Sequence, residues 1–142
     1  MSVSEKDAGS SDLSFPRSRR LRLTGDFRRV YARRASAAGA RLVVYADRNA
    51  LDFSRAGFSV SKKHGSSVRR NRIKRLLREA WRLSRPGLPR GYDFVFVPRD
   101  CAGVGLAELL AELPGLVRAA ALKADRKAQA RASRRSPPED EP

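Results

Sequence analysis

The sequence predicts a single domain of the α+β class, and three observations support this. The chain has 142 residues, a length typical of one domain, and 41% of them are hydrophobic, which is enough to bury a core. Apolar residues recur at helical spacing in three segments and at strand spacing in three others. Their order is helix, strand, strand, helix, strand, helix, so we expect a strand–helix–strand crossover from Phe58 through the middle helix to residues 94–97.

The first helix is predicted over residues 25–34. Thr24 is a candidate N-cap, and Asp26 lies in the first turn, where the helix dipole favours a carboxylate. Three apolar residues follow at helical spacing, namely Phe27, Val30 and Tyr31.

Two strands are predicted next, over 41–47 and 54–61, because apolar residues alternate in both segments. The alternation in the first places Leu42, Val44 and Ala46 on the more apolar face and Val43 and Tyr45 on the other. Residues 48–52 separate the segments like a hairpin loop, so we expect the two strands to be antiparallel neighbours. Phe58 and Val60 are assigned to the core.

The second helix is strongly basic. Ser66 and Ser67 can cap it, and it is predicted to run to about Leu83, before Pro86. Its apolar face consists of Ile73, Leu76, Leu77, Ala80 and Trp81, with Trp81 assigned to the core. The opposite arc of about 100° carries Asn71, Lys74, Arg75, Arg78 and Arg82.

An apolar run over 92–97 predicts a buried strand, and leucines at helical spacing predict a last helix from Leu106 to about Ala120. Pro114 is expected to kink or split that helix. Residues 1–14 and 124–142 offer little to bury, so we expect disordered tails on either side of a domain at 15–123.

The composition indicates a partner that is a polyanion. The chain has 31 Lys and Arg against 15 Asp and Glu, a net charge of +16, and 18 of the 31 cations lie in residues 17–34 and 61–85. One cysteine, Cys101, and one histidine exclude an internal disulfide and a four-ligand zinc site, unless carboxylates complete the latter. We find no apolar run of about 20 residues and no apolar leader segment, and therefore expect a cytoplasmic protein.

The sequence contains no recognisable catalytic motif. Asp47, Asp93 and the other carboxylates show no pattern that would bring two of them together, and no Ser/His/Asp, Cys/His or phosphate-loop signature is present. We therefore do not expect the side chains of this protein to carry out a reaction.

The basic helix and the strand before it carry a family resemblance. Residues 59–63 read S-V-S-K-K, Gly65 follows, and residues 70–79 match R-N-R-x-K-R-x-x-R-E. These motifs resemble the protein subunit of bacterial ribonuclease P. The segments that begin at Asp26, Leu42 and Gly91 resemble flanking elements of the same family, so that the likeness extends over about 15–117.

The resemblance implies both a fold and a function. The implied fold is a two-layer α+β sandwich with a small mixed sheet, similar to a ribosomal-protein domain and with a left-handed crossover, although such connections are usually right-handed. The implied function is that of an accessory subunit. The catalytic RNA, with Mg²⁺ bound mainly by that RNA, removes the 5′ leader of precursor tRNA, while the protein binds the leader and lowers the Mg²⁺ requirement. No obligate protein partner and no membrane are implied.

The resemblance also implies two sets of site residues. The set expected to bind the catalytic RNA through phosphate contacts is Lys62, Lys63, Arg70, Asn71, Arg72, Lys74, Arg75 and Arg78. The set expected to bind the leader is Phe27, Tyr31, Tyr45, Ser59 and Ser61. Asn71 could instead cap local backbone, and each of the three rings could instead belong to the core.

Two other classes of protein share some of these features. A ribosomal or other structured-RNA-binding protein, or a helix-turn-helix DNA reader, would share the charge but would need no leader cleft. A self-sufficient nuclease would need a cluster of carboxylates or histidines that the sequence does not reveal. His64 replaces an aliphatic residue of the family motif, and we interpret it as a local variation rather than a proton donor.

Overall fold

The computed structural model describes residues 16–99 and 103–135. Its helices are α1 (Thr24–Arg33), α2 (Ser67–Ser84) and α3 (Leu106–Arg135), and its strands are β1 (Ser36–Ala38), β2 (Leu42–Arg48), β3 (Arg55–Phe58) and β4 (Tyr92–Pro98). Short 3₁₀ turns lie at Arg17–Arg19, Lys62–His64 and Arg85–Gly87. The α+β class and the predicted order of helices and strands are confirmed, and β1 is an additional short strand.

The four strands form one mixed sheet in the order β1-β2-β4-β3. β2 is antiparallel to β1 and to β4, whereas β3 is parallel to β4. The predicted crossover from β3 through α2 to β4 is therefore confirmed. The prediction that β2 and β3 are neighbours is wrong, because β4 lies between them. Residues 93–96 of β4 are all buried, and a strand covered on both faces takes the centre of a sheet.

The sheet has a hydrophobic layer on each face. On one face α2 and α3 cover Leu42, Val44, Ala46, Phe94 and Phe96, and the fully buried Trp81 is the largest side chain of this layer. Its ring lies 5.6 Å from Phe94 and 5.5 Å from Phe96, centroid to centroid. On the other face α1 covers a smaller cluster built on Leu21, Val30 and Val95. Thus α2 and α3 lie on one side of the sheet and α1 lies on the other.

The helix starts agree only partly with the predictions. Ser66 caps α2, since its Oγ accepts a hydrogen bond from the Arg69 N–H at 3.3 Å, as predicted. The prediction that Thr24 caps α1 is wrong by one residue. Thr24 is the first helical residue, and the cap position is held by Leu23, whose carbonyl accepts the Asp26 N–H at 3.0 Å.

Helix α3 is longer than the sequence predicts. It passes through Pro114 without a break, because residues before and after the proline, including Leu113 and Val117, are fully buried against the core. The prediction of a split helix is therefore wrong. Helix α3 also runs on to Arg135, so the tail predicted to begin at Ala124 starts inside a helix, with Ala124 itself buried. The predicted tail at 1–14 and residues 136–142 lie outside the described residues.

None of the helices in the described ranges combines the length and the apolar character needed to cross a membrane.

Candidate nucleic-acid interface

The turn between β3 and α2 forms one rigid unit with the basic helix. Gly65 has φ of 115°, a conformation that side chains disfavour, and an added Cβ would lie 2.8 Å from the Cδ of Arg69. The Arg70 guanidinium donates from Nε to the Gly65 carbonyl at 3.2 Å and from Nη2 to Ser67 Oγ at 3.4 Å. Glycine at position 65 thus lets the turn, with Lys62 and Lys63 on it, pack directly against the start of α2.

The cations predicted to bind the catalytic RNA lie on the outside of this unit. The exposed members of the set are Lys62, Lys63, Asn71, Arg72 and Arg75, and the half-buried ones are Arg70, Lys74 and Arg78. Within the described part of the chain, none of these cations has an ion-pair partner. The acid of α2, Glu79, is bound by Arg82 at 2.6 Å, and this hydrogen bond lowers the Glu79 pKa. The positive charge of this surface is therefore left uncompensated by the residues that the structure describes.

The three aromatic residues predicted to bind the leader lie on the other face of the sheet, at α1. All three are half-buried around the Leu21, Val30 and Val95 cluster. Tyr31 of α1 and Tyr45 of β2 meet edge to face, with ring centroids 4.9 Å apart. We call the surface formed by Phe27, Tyr31 and Tyr45 the aromatic cleft.

Phe27 is held more tightly than the tyrosines. Its ring covers Gly57 of β3 so closely that an added Cβ would lie 2.6 Å from the Phe27 Cζ and 2.9 Å from the Leu21 Cβ. The structure therefore brings Tyr31 and Tyr45 into contact and seats Phe27 separately, over the strand. The missing side chain at Gly57 is what allows α1 to approach the sheet here.

The two predicted serines follow β3. Ser59 is half-buried and continues the strand pairing through its N–H, which donates to the Phe96 carbonyl at 3.0 Å. Ser59 is two residues beyond Gly57, and alternate residues of an extended chain share a face, so it borders the aromatic side. Ser61 is exposed and begins the turn that carries Lys62. The serines thus lie between the aromatic cleft and the basic unit.

The structure also reveals an ionic network that the sequence analysis missed. Asp93 is completely buried in β4, and its carboxylate accepts hydrogen bonds from Arg55 Nε and Nη2 at 2.8 and 2.7 Å, from Asn49 Nδ2 at 2.9 Å and from Arg29 Nη2 at 2.5 Å. Arg29 also donates to Asp47 at 2.6 Å. The available signal was a single acid inside the otherwise apolar run of β4.

This network joins α1 to the sheet. Asp47 and Asp93 are directly opposite each other in the β2–β4 register, where two like charges repel, and the Arg29 guanidinium lies between them. Burial raises the Asp93 pKa, but the hydrogen bonds from Arg55, Asn49 and Arg29 outweigh it, so that the pKa is lower than usual. The expectation that no two carboxylates come together is thus wrong for this pair, which serves to hold Arg29 and with it α1.

The carboxylates of this network are occupied by arginine and asparagine donors. Across the described ranges, no three His, Cys, Asp or Glu side chains are arranged to hold a metal ion. His64 lies in the turn after β3, where its backbone N–H donates to the Ser61 carbonyl at 3.1 Å.

Comparisons with known proteins agree with this architecture. The family model "Ribonuclease P" matches residues 15–121. A ribonuclease P protein component from Alkaliphilus oremlandii is 46% identical over 91 residues, which is 63% of this chain and 80% of the relative. One from Alkaliphilus metalliredigens is 39% identical over 100 residues, 70% of this chain and 90% of the relative.

Solved structures show the same likeness. The RNase P protein from Thermotoga maritima, in complex with a fluorophenyl thiourea, is 33% identical with a TM-score of 0.64, covering 69% of this chain and 96% of that one. The protein from Staphylococcus aureus is 31% identical with a TM-score of 0.63, covering 70% and 93%. These matches do not favour a ribosomal protein or a DNA reader. The chain therefore belongs to the ribonuclease P protein family, the protein component of the endoribonuclease for 5′ maturation of tRNA.

Proposed function

We propose that the protein holds the catalytic RNA of ribonuclease P on one surface and the 5′ leader of precursor tRNA on another. The main support for this proposal is that the sheet separates the residues predicted to bind the catalytic RNA from the aromatic residues predicted to bind the leader. The cations are on α2 and its preceding turn, and the aromatic cleft is under α1, on the opposite face. The protein would thus connect enzyme RNA and substrate, and it would do so in the cytoplasm.

Docking of the catalytic RNA is supported by the fixed geometry of the basic unit. The 18 residues of α2 project guanidinium and ammonium groups from a helix whose other face is buried around Trp81. Arginine can bind a phosphate through two donors, and the rigid turn places Lys62 and Lys63 beside the helix. Because no acid neutralises these groups within the described residues, their charge is available for phosphates.

Leader binding is supported by the half-buried state of the aromatic cleft. A ring buried in the core on all sides offers no face to a base, and a fully exposed ring is poorly ordered. Tyr31 and Tyr45 are intermediate and fix each other edge to face. Bases of single-stranded RNA stack on such rings with little sequence preference, which suits leaders of many sequences.

We further propose that Mg²⁺ is bound mainly by the catalytic RNA and supplies the metal chemistry of phosphodiester hydrolysis there. The contribution of the protein is charge. Its cations screen phosphate repulsion in the assembled enzyme, and this lowers the Mg²⁺ concentration needed for cleavage.

The test of leader binding compares two substrates. Tyr45→Ala should weaken binding of precursor tRNA to the reconstituted enzyme by up to about 1–3 kcal/mol, the cost of one lost stack, and leave mature tRNA binding nearly unchanged. Phe53→Ala is the matched control, since Phe53 is a half-buried ring outside the cleft, under the Arg19 guanidinium. Equal losses on both substrates, together with a lowered melting temperature, would assign Tyr45 to the core instead.

A cleavage assay with the same reconstituted enzyme tests the accessory role. The protein without RNA should not cleave precursor tRNA, and the protein with the catalytic RNA should reduce the Mg²⁺ needed for half-maximal cleavage. Cleavage by RNA-free protein that disappears on substitution of one carboxylate would refute this part of the proposal.

A further inference from the structure

A concave basic surface, separate from the cations of α2, lies at the far end of α3. It is a groove of about 390 Å³ between the C-terminal end of α1 and the last turns of α3. Five of its seven lining residues are cations and none is an acid; the cations are Arg33, Arg34, Lys127, Arg131 and Arg134. We call it the C-terminal groove. All of its α3 lining residues are beyond residue 121, where the match to the family model ends.

The end of α3 is held in place by contacts with the sheet. The Tyr92 hydroxyl donates to Asp125 Oδ1 at 2.7 Å, the Lys123 ammonium donates to the Ser36 carbonyl at 2.8 Å, and Ala124 is buried. These contacts immediately precede the three cations that α3 contributes to the groove. The groove is therefore a consequence of how α3 packs on the sheet.

Four of the five groove cations are not neutralised by any described residue. Within those ranges, Arg34, Lys127, Arg131 and Arg134 have no ion-pair partner. Arg33 has a weak one, since its buried Nε lies 3.6 Å from Asp47 Oδ1 and makes no hydrogen bond. A concave surface lined by charges of one sign concentrates the opposite charge, and phosphates are the anions that arginines bind best.

The groove and the aromatic cleft are neighbours along α1. Tyr31 of the cleft and Ala32 of the groove are consecutive residues, and the helix rises only about 1.5 Å per residue, so their backbones are close together. Arg33 connects the two surfaces a second time, because Asp47 lies two residues from Tyr45 on β2. Proteins that bind single-stranded RNA commonly combine stacking rings with a basic groove along the backbone.

We propose that the C-terminal groove binds the phosphate backbone of the leader segment that extends out of the aromatic cleft. The ligand is single-stranded RNA, recognised through phosphates alone, since the lining offers only cations and two alanines. This inference rests on the proposed binding of the leader in the cleft.

The test uses the enzyme reconstituted from full-length protein and catalytic RNA. Arg131→Gln with Arg134→Gln removes two groove charges and keeps good helix formers. Arg90→Gln with Arg126→Gln is the matched control, because it removes the same charge from exposed positions outside the groove. The substrates are precursor tRNAs whose leaders are lengthened one nucleotide at a time, beside mature tRNA.

We expect the groove variant to lose affinity only once the leader is long enough to leave the cleft. Each phosphate contact to single-stranded RNA contributes about 0.7 to the logarithmic salt slope, which corresponds to roughly fivefold in binding affinity at 0.1 M salt. The loss of two contacts should therefore weaken binding by about 10- to 25-fold. The magnitude of the logarithmic salt slope should fall by about 1.4 for long leaders. Short-leader and mature tRNA should be unaffected, as should the control variant on every substrate.

Four results would overturn the proposal. These are an unchanged affinity for long leaders, an equal loss on mature tRNA, a weakened assembly with the catalytic RNA, or a loss seen only after deletion of 136–142. The last result would mean that the acidic end of the chain, and not the leader, binds in the groove of the full-length protein. That end contains Glu139, Asp140 and Glu141. If wild-type enzyme fails to prefer precursor over mature tRNA, the leader proposal itself fails, whatever the groove variant does.

Discussion

Removal of the buried charge at Asp93 should destabilise the protein strongly. Asp93→Asn keeps the shape of the side chain. Among the described residues it leaves Arg55 without an ion-pair partner and Arg29 with Asp47 and Asp26. Breaking a buried ion pair costs about 3–5 kcal/mol. Arg29 and Arg55 are 32% and 26% exposed and so partly hydrated, which favours the lower end, about 3 kcal/mol.

For a chain of this size that loss corresponds to a fall of roughly 12 °C in melting temperature, at about 4 °C per kcal/mol. Urea and thermal unfolding followed by circular dichroism measure it. Asp52→Asn is the matched control, because Asp52 is exposed and makes no ion pair with any described residue, and its effect should stay within about 0.5 kcal/mol.

The pH dependence gives an independent check of the same prediction. Since the Asp93 pKa is lowered in the folded protein, its stabilisation is complete above the ordinary aspartate value of about 3.9. This stabilisation is lost as the pH falls through the lower pKa that Asp93 has in the folded protein. The difference in unfolding free energy between wild type and Asp93→Asn should therefore become smaller below about pH 4. If Asp93→Asn unfolds like Asp52→Asn at pH 7, the network does not hold α1 on the sheet.

Three further outcomes are expected. Gly57→Ala should displace the Phe27 ring, lower the unfolding free energy by about 1–3 kcal/mol and weaken precursor tRNA binding. Unchanged stability and unchanged binding would contradict the close approach of the Phe27 ring to Gly57. Arg72→Ala should weaken assembly with the catalytic RNA and reduce the logarithmic salt slope by about 0.7–0.9, whereas the exposed Arg90→Ala should not; identical salt titrations would argue against the α2 surface. Burial and the hydrogen bond to Asp125 raise the Tyr92 pKa to about 12, so Asp125→Asn should lower it in an ultraviolet absorbance titration, and an unchanged curve would exclude that hydrogen bond in solution.

Local patterns predicted the parts of the fold that depend on local chemistry. The Ser66 cap, the apolar face of α2 around Trp81 and the alternation that separates Val44 from Tyr45 each follow from neighbouring residues, and each is present in the structure. The order of the strands in the sheet was not predicted correctly, because the short segment 48–52 was interpreted as a hairpin loop, whereas β2 pairs with β4, which is distant in sequence.

In the candidate site, too, features set by neighbouring residues could be predicted, and features set by the tertiary fold could not. The basic unit could be located from its motif, and the exposure of Arg72 agrees with its predicted role. The network at Asp93 could not be found, because its donors come from residues 29, 49 and 55, which only the tertiary fold brings together. The C-terminal groove was missed for a similar reason. Residues 124–135 have little to bury alone, and their helix is held through Asp125 and the sheet.

The position of β4 has a consequence for synthesis of the protein. β4 is the last strand in the chain, yet it lies between β2 and β3, so the sheet cannot close while only residues before 92 have left the ribosome. Arg29 and Arg55 are made earlier, and the partner that they share, Asp93, reaches them only with this last strand. The cluster under α1, which includes Val95 of β4, is therefore completed only when the last strand of the chain is inserted between two strands made earlier.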